Sequence, residues 1–559
     1  MPFFKEFLEI YQNSLKKGQN FIDPDFKPDL FSLIEKENSV RQENWSDFVW
    51  GRPKEFLEGK YHIFGSDQTE GGLMTSFRHR HFVDENAQEK NIDIDDIVQG
   101  ELGDCYFLSS LSSLAENPIR IRNLFISKRI NENSGIFCVN ICHEGEWRAV
   151  YIDDYFPIHK DCSGLCFSKS KQGDNELWVP ILEKAWAKLY GNYEKIEAGL
   201  TRDVLRDLTG APTKVVWSDD PNLWIELLNG EAKDYIMTAG AIDAEQMKKV
   251  KMHEGMVVGH AYSLISVAEV LGYRLIKLRN PWGKGEWKGA WSDEDPIWAK
   301  ISEEEKKAIG YNLEDDGCFF MDLDDFSQIY GDVQICMVED ENKYDSIKLR
   351  STKKKGVYVE VDVLKDGDYC FTVLQPSIRK INLPSYDYGK STIIVAKRNN
   401  DDLLFIDAKQ IVHRENFVYC HGMKKGKYVI YCKVNYEGIE EGSFVLSSYG
   451  DDNVKFNIIP KEQNFLEKVY HSKAIKSNNA YEVFPNEGYG YYCFENKEEK
   501  LSKRRITINK LEGLRLKNKI SNELKDNSFE IYVPGGSREI VIFRVEGKTF
   551  NVDLKEEQI

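Results

Sequence analysis

Apolar residues recur at helical spacing just after Asp104-Cys105: Phe107, Leu108, Leu111 and Leu114 share one stripe until Asn117-Pro118 interrupts it. This predicts a helix with Cys105 at its N-terminus. A short amphipathic stretch, Phe3 to Leu15, opens an N-terminal segment of residues 1–45. Residues 46–200 are mixed in pattern, whereas 201–342 are richer in strand signals. There Met256-Val257-Val258 and Ala261 to Val267 read as an apolar β segment around His260, and Tyr273 to Leu278 as a second strand. A short hairpin would bring the end of that second strand, with Asn280, back beside His260. From about 345 the texture becomes wholly β. Gly356-Val-Tyr-Val-Glu-Val-Asp-Val, Tyr369-Cys-Phe-Thr-Val-Leu, Ser391-Thr-Ile-Ile-Val-Ala, Tyr428-Val-Ile-Tyr-Cys-Lys-Val and Ser443-Phe-Val-Leu-Ser-Ser are short strands between turn residues, which predicts a β-sandwich over 343–460. Tyr489-Gly-Tyr-Tyr-Cys-Phe, Arg505-Ile-Thr-Ile-Asn, Phe529-Glu-Ile-Tyr-Val and Ile540-Val-Ile-Phe-Arg continue the pattern and predict a second small β domain over 461–559.

Composition narrows the class. The chain has 559 residues, enough for several domains with real cores, and no apolar run long enough to span a bilayer. Its formal net charge of −17 argues against a nucleic-acid partner. Eleven cysteines, odd in number and irregular in spacing, suit a reducing compartment better than a disulfide framework. Cys162-Ser-Gly-Leu-Cys166 has no second pair at zinc-site spacing. With neither a signal-peptide pattern nor a lipidation motif in the sequence, a cytoplasmic location is expected.

Four residues carry the candidate chemistry. Cys105 follows Gln99-Gly-Glu-Leu-Gly-Asp, His260 lies in Gly-His-Ala-Tyr-Ser, and Asn280 in Arg-Asn-Pro-Trp-Gly. A thiol becomes a strong nucleophile only on ionising, so it needs an imidazole to stabilise the thiolate and later return a proton. That imidazole must be held in one tautomer, which a side-chain amide does without adding charge. The oxyanion formed on attack needs placed donors, and Gln99 with the Cys105 N–H supplies two. A helix N-terminus further favours thiolate. Taken singly, Cys105 reads as an inert core cysteine and His260 as a hydrogen-bonded strand histidine. The ordered set makes the catalytic reading the stronger one.

These segments resemble the protease core of the calpains. The likeness rests on Gln-Gly-x-Leu-Gly-Asp-Cys, Gly-His-Ala-Tyr-Ser and Asn-Pro-Trp-Gly-x-x-x-Trp-x-Gly-x-Trp ending at Trp291, and extends through Phe21-Ile-Asp-Pro-Asp-Phe, Trp50-Gly-Arg-Pro, Val150-Tyr-Ile-Asp-Asp and Glu176-Leu-Trp-Val-Pro-Ile-Leu-Glu-Lys-Ala-Trp-Ala-Lys. The resemblance implies an α+β fold: a papain-like core of two lobes, 46–200 carrying the cysteine and 201–342 carrying His260 and Asn280, followed by all-β sandwich domains. It implies a calcium-regulated endopeptidase that makes limited cuts in protein substrates. By the same resemblance Trp282 flanks the site, and Gly199 and Gly259 line the cleft where a substrate backbone would bind. Calcium is implied at two core sites, one through Asp96 and Glu183, the other through Glu286, Asp293, the Glu314 carbonyl and Asp316. At the second site Cys318 stands where a carboxylate is expected, and Ile94 where the arginine that pairs with it would be. This predicts a missing link between the lobes. Conventional calpains end in helical calcium-binding hands; no segment here has that ligand spacing, so no small regulatory subunit is expected. The β domains are expected to offer a surface for membrane phospholipid. The competing expectation is a catalytically silent calpain-like scaffold that binds partners or membranes through those domains. A transglutaminase-like acyl transfer to an amine uses similar residues, but the surrounding motifs disfavour it.

Overall fold

Leucines 108, 111 and 114, with Phe107, draw Cys105–Ala115 into helix α1, and every residue from Tyr106 to Ala115 is buried. Asn117 ends the run by capping the next helix, Pro118–Leu124, accepting from the Ile119 N–H while Pro118 occupies a first-turn position that needs no donor. The computed structural model describes residues 2–17, 20–36, 39–58, 61–64, 92–126, 134–171, 175–251, 254–352, 355–381, 386–437, 439–466, 468–469, 472, 481–484, 489–517, 528–533, 538–545 and 551–559. They fall into two compact units, Met1–Asn342 and Lys343–Ile559.

In the first unit, α1 packs beside helix α2, Trp178–Tyr190, with Phe107 stacked on Trp186 at 5.3 Å between ring centroids. Trp186 Nε1 donates to the Tyr106 hydroxyl, which donates to the Ile196 carbonyl, so the residue after Cys105 is tied to the helices behind it. Helix α3, Thr201–Thr209, follows.

The other half is a six-stranded sheet. Its strands are β1 Thr213–Trp217, β2 Ile236–Ala241, β3 Ala261–Val270, β4 Tyr273–Arg279, β5 Cys318–Asp322 and β6 Tyr330–Cys336, in the order β5-β4-β3-β2-β6-β1. β3 and β4 form the expected hairpin, turned by Leu271 and Gly272 with φ of 50° and 81°. Met256–Val258, expected in that strand, lies outside it. Gly255 and Gly259 both take positive φ, Val258 is exposed, and β3 begins only at Ala261.

Helix α1 also touches the sheet. Ser113 Oγ donates to the Met237 carbonyl at 2.8 Å, and Ser263 Oγ donates to the Ser109 carbonyl at 2.9 Å. Small serines let the two backbones approach. Each bond contributes about 1 kcal/mol net, and leaving such a buried group unmade costs about 1–3 kcal/mol, so the contact is specific as well as close.

The second unit is all β. A four-stranded sheet, Lys343–Thr352, Glu441–Gly450, Gly367–Leu374 and Glu415–Met423, faces a five-stranded sheet, Asp402–Val412, Asp387–Asn399, Gly426–Glu437, Val357–Val363 and Val454–Ile459. Alternating inward residues such as Val359, Val361, Phe371, Val373, Ile393 and Ile430 fill the space between them. Ile394, Ala396 and Val429 point the other way and share a core with Phe465, Val469, Tyr491 and Cys493. Residues beyond 461 therefore pack directly on the sandwich and add sheets of four and three strands. Among the described residues no helix is long and apolar enough to cross a membrane.

Candidate active site

The turn before α1 is set by close approach. The Ala198 N–H donates to the Gly103 carbonyl at 2.8 Å, bringing Gly199 against Tyr106. A Cβ on Gly199 would lie 2.4 Å from the Tyr106 ring, so any side chain there would push the loop away. Cys105, Tyr106, Gly199, Gly259 and His260 all line one cleft of 810 Å³.

His260 and Asn280 form a finished pair. Nε2 of His260 lies 2.9 Å from Oδ1 of Asn280. The Trp282 N–H donates to the same oxygen at 3.1 Å, and Asn280 Nδ2 donates to the Gly285 carbonyl at 3.1 Å, which fixes which way the amide faces. Oδ1 can only accept. Nε2 of His260 therefore carries the proton and Nδ1 is the basic atom. Trp282 covers the imidazole at 4.8 Å between ring centroids. Burial pulls His260 down to about 4, against the Asn280 hydrogen bond.

The cysteine side is less poised. Burial pushes the Cys105 thiol up and the charge of Asp104 adds to the rise, while the Ala261 N–H opposes both. The benefit expected from the helix end is outweighed by desolvation. Below the thiol, Asp104 is fully buried and meets Glu183, whose two oxygens accept from the Ser168 N–H at 3.1 and 3.3 Å. Burial holds Asp104 well above the carboxylate range and Glu183 up at about 7. Gln99 Nε2 donates to the Leu102 carbonyl at 2.7 Å, leaving its second amide hydrogen for another acceptor, and the Gln99 N–H donates to the Pro281 carbonyl of the other lobe.

The acids expected to hold metal divide. Asp96 accepts from the Asp93 N–H at 2.6 Å, closing a short turn, and Glu183 lies with Asp104 and Ser168. Ile97, next to Asp96, pairs with Ser170, whose hydroxyl donates to the Glu176 carbonyl, so buried Glu176 is held close to the Asp96 turn. On the other lobe the expected acids do gather. Glu286 Oε1 accepts from the Gly317 N–H, Asp316 Oδ1 from the Cys318 N–H, and the Glu314 carbonyl from the Asp316 N–H. Glu286 and Asp293 line a hollow of 910 Å³. Burial, then the charges of Glu286 and Asp316, raise Asp293 to about 7. Such crowding of carboxylates fits a hard divalent cation.

The lobes are also linked, by residues the sequence reading passed over. Arg279 Nε lies 3.3 Å from Asp95 Oδ1, Nη2 donates to the Ile97 carbonyl at 2.9 Å, and Nη1 to Ser112 Oγ at 3.4 Å. Cys318 Sγ lies 3.9 Å from the same Asp95 oxygen, and Asp95, Asp316 and Cys318 cluster within 4.8 Å. The pair expected at positions 94 and 318 is absent, but a cation from the other lobe and an acid one residue along join the halves instead. A one-residue offset on a short turn is invisible to motif spacing.

Residues 21–337, more than half of the chain, match the family model for calpain family cysteine protease. The chain belongs to the calpain family. Among similar proteins, the calpain-type cysteine protease DEK1 of Zea mays is 37% identical over 258 residues, covering 44% of this calpain and 12% of the maize protein. Human calpain-9 is 31% identical over 366 residues, 64% of this chain and 48% of that one. Human calpain-12 is 36% identical over 254 residues, 44% and 34% respectively. This calpain thus spans less than half the length of each of these relatives. The α+β core with β sheets following it agrees with the fold that the motifs implied.

Proposed function

We propose that this calpain is a cysteine endopeptidase in which Cys105 is the nucleophile, His260 the acid and base, Asn280 the residue that orients the imidazole, and Gln99 an oxyanion donor. The observation that carries this reading is the His260–Asn280 hydrogen bond of 2.9 Å, which leaves Nδ1 free in the cleft that also holds Cys105. In the reaction, the Cys105 proton moves to Nδ1 and sulfur attacks the peptide carbonyl. The amine leaves with the proton from His260, and water, deprotonated by the same atom, breaks the thioester and restores the thiol. Gln99 and the Cys105 N–H meet the oxyanion in both steps.

Calcium regulation extends the proposal. Glu286, Asp293, Asp316 and the Glu314 carbonyl would hold one ion, and the Asp96 turn another, with Glu176 joined to the neighbouring strand through Ser170. A cation at the first of these sites would offset the burial and the charge repulsion that raise Asp293. Eleven cysteines, odd in number and irregular in spacing, support a reducing, cytoplasmic setting with protein substrates.

A fluorogenic peptide assay with and without calcium tests both parts. Calcium-stimulated hydrolysis is expected in the intact chain and should fall ~10³-fold or more in Cys105→Ser. Retained turnover in that variant would remove Cys105 from the chemistry. Equal activity with calcium and with chelator would remove the ion from regulation.

A further inference from the structure

One end of the catalytic cleft has chemistry that peptide hydrolysis by itself does not need. Strand β6 lies between β2 and β1, with Asp332 opposite Gly240 on one side and opposite Trp217 on the other. Directly opposed residues in antiparallel strands project from the same face, as does the residue two further along. Trp217, Asp332 and Gln334 therefore share one surface, and all three line the cleft that holds Cys105 and His260. Gly240 keeps that surface open: even a Cβ there would lie 3.1 Å from Asp332 Oδ1.

The polar atoms of this surface are unbalanced. Gln334 is 5% exposed, and its Nε2 donates to Asp332 Oδ1 at 2.7 Å. That leaves Gln334 Oε1 buried with no hydrogen-bond partner among the described residues. A buried acceptor without a donor is costly, and here it lies beside a carboxylate. Trp217 is 61% exposed, so an aromatic face stands bare over the same spot. Asp219 and Asp243 line the cleft as well, and among the described residues no lysine or arginine does. Arg202, on α3, is the cation whose charge reaches Asp332, and it is not among the cleft-lining residues.

We infer that Trp217, Asp332 and Gln334 form a subsite for a cationic substrate side chain, so that this calpain prefers peptides with arginine or lysine at one position beside the scissile bond. The ammonium or guanidinium donates to the free Asp332 oxygen and to Gln334 Oε1, while its apolar stem and charge lie against the indole. Arginine, planar and with several donors, satisfies two acceptors at once better than lysine. Burial raises Asp332, with Gln334 and Arg202 opposing, and a bound cation would add to their effect. The inference rests on the endopeptidase reading for its catalytic consequence, but the subsite itself is a matter of binding.

Quenched peptides of one core sequence, carrying arginine, lysine, norleucine or glutamate at each position flanking the scissile bond, separate the cases in the presence of calcium. At one position kcat/KM for arginine should exceed that for norleucine by ~10-fold or more. That ratio should collapse toward unity in Asp332→Asn, fall several-fold in Trp217→Ala, and turn toward glutamate in Asp332→Lys. Ratios within one variant do not depend on its folded fraction. A ratio near unity at every position, or one unchanged by Asp332→Asn, overturns the subsite. If no peptide is cleaved, the endopeptidase reading fails separately, and calorimetry on Cys105→Ser still decides. Tighter binding of the arginine peptide than of its norleucine twin, lost in Cys105→Ser/Asp332→Asn, supports the subsite; equal binding of the two, or binding of neither, refutes it.

Discussion

The two lobes of the catalytic unit prepare their residues differently. The sheet lobe presents a completed pair: β3 and β4 bring His260 and Asn280 to 2.9 Å, the amide is held on both ends, and Trp282 shields the ring. All of this comes from one hairpin and the turn after it, so it forms wherever that lobe folds. The helical lobe presents Cys105 at the start of α1 but buries it and sets it beside Asp104, so its thiol is held up rather than ionised. A lobe can build a hydrogen-bonded pair by itself. It cannot by itself supply the cation that a thiolate needs. Arg279, reaching from the sheet lobe to Asp95 and Ile97 on the other, joins the two lobes, and the proposed regulation would act on that relation.

Breaking the finished half should have the largest effect. His260→Ala should lower kcat/KM ~10³-fold or more, and Asn280→Ala ~10²-fold or more, since the ring loses its tautomer. Asn280→Ala should also lower the melting temperature, because the same amide holds Trp282 and Gly285. Peptide kinetics and thermal melts read both effects. An Asn280→Ala enzyme with unaltered kcat/KM would mean that the pair is structural alone.

The unready half predicts a pH signature. With the thiol raised and His260 near 4, the resting pair at neutral pH is thiol and neutral imidazole, not an ion pair. Without calcium, iodoacetamide should alkylate Cys105 at a rate rising ~10-fold per pH unit through neutrality, as the thiolate fraction does. Calcium should add a limb that is flat with pH, reflecting an assembled ion pair. A flat limb below neutrality in the absence of calcium would show that the lobes are not different after all. Peptide-resolved mass spectrometry separates Cys105 from the other ten cysteines.

The link between the halves should give the smallest change. Asp95→Asn leaves Arg279 its bonds to Ile97 and Ser112 while removing the charge pair. The half-maximal calcium concentration for activity should rise ~2- to 5-fold, a coupling of ordinary size. A calcium titration of the Asp95→Asn enzyme that superimposes on that of the unaltered chain would place the coupling elsewhere.

Much of the candidate site could be read from local pattern. Helix α1, the β3–β4 hairpin and the strands of the second unit follow from apolar spacing and turn residues. Gln99, Cys105, His260 and Asn280 are recognisable because each lies in a short motif whose neighbours serve the same chemistry. What escaped reading had long-range causes. Asp95 meets Arg279, Asp104 meets Glu183, and Trp217 meets Asp332 only after strands and helices far apart in the chain are brought together. Met256–Val258 misled in the opposite sense: apolar residues suggest a strand, but the glycines around them turn the backbone before pairing begins.

By itself, then, the order of amino acids offered the groups proposed as nucleophile, base, orienter and oxyanion donor, because those identities are chemical and each sits in its own short segment. Tertiary structure decided their protonation, the partners of the acids and the character of the cleft. Burial sets whether a thiol or carboxyl can ionise, and strand register sets which distant side chain shares its face; neither quantity exists until the chain has folded.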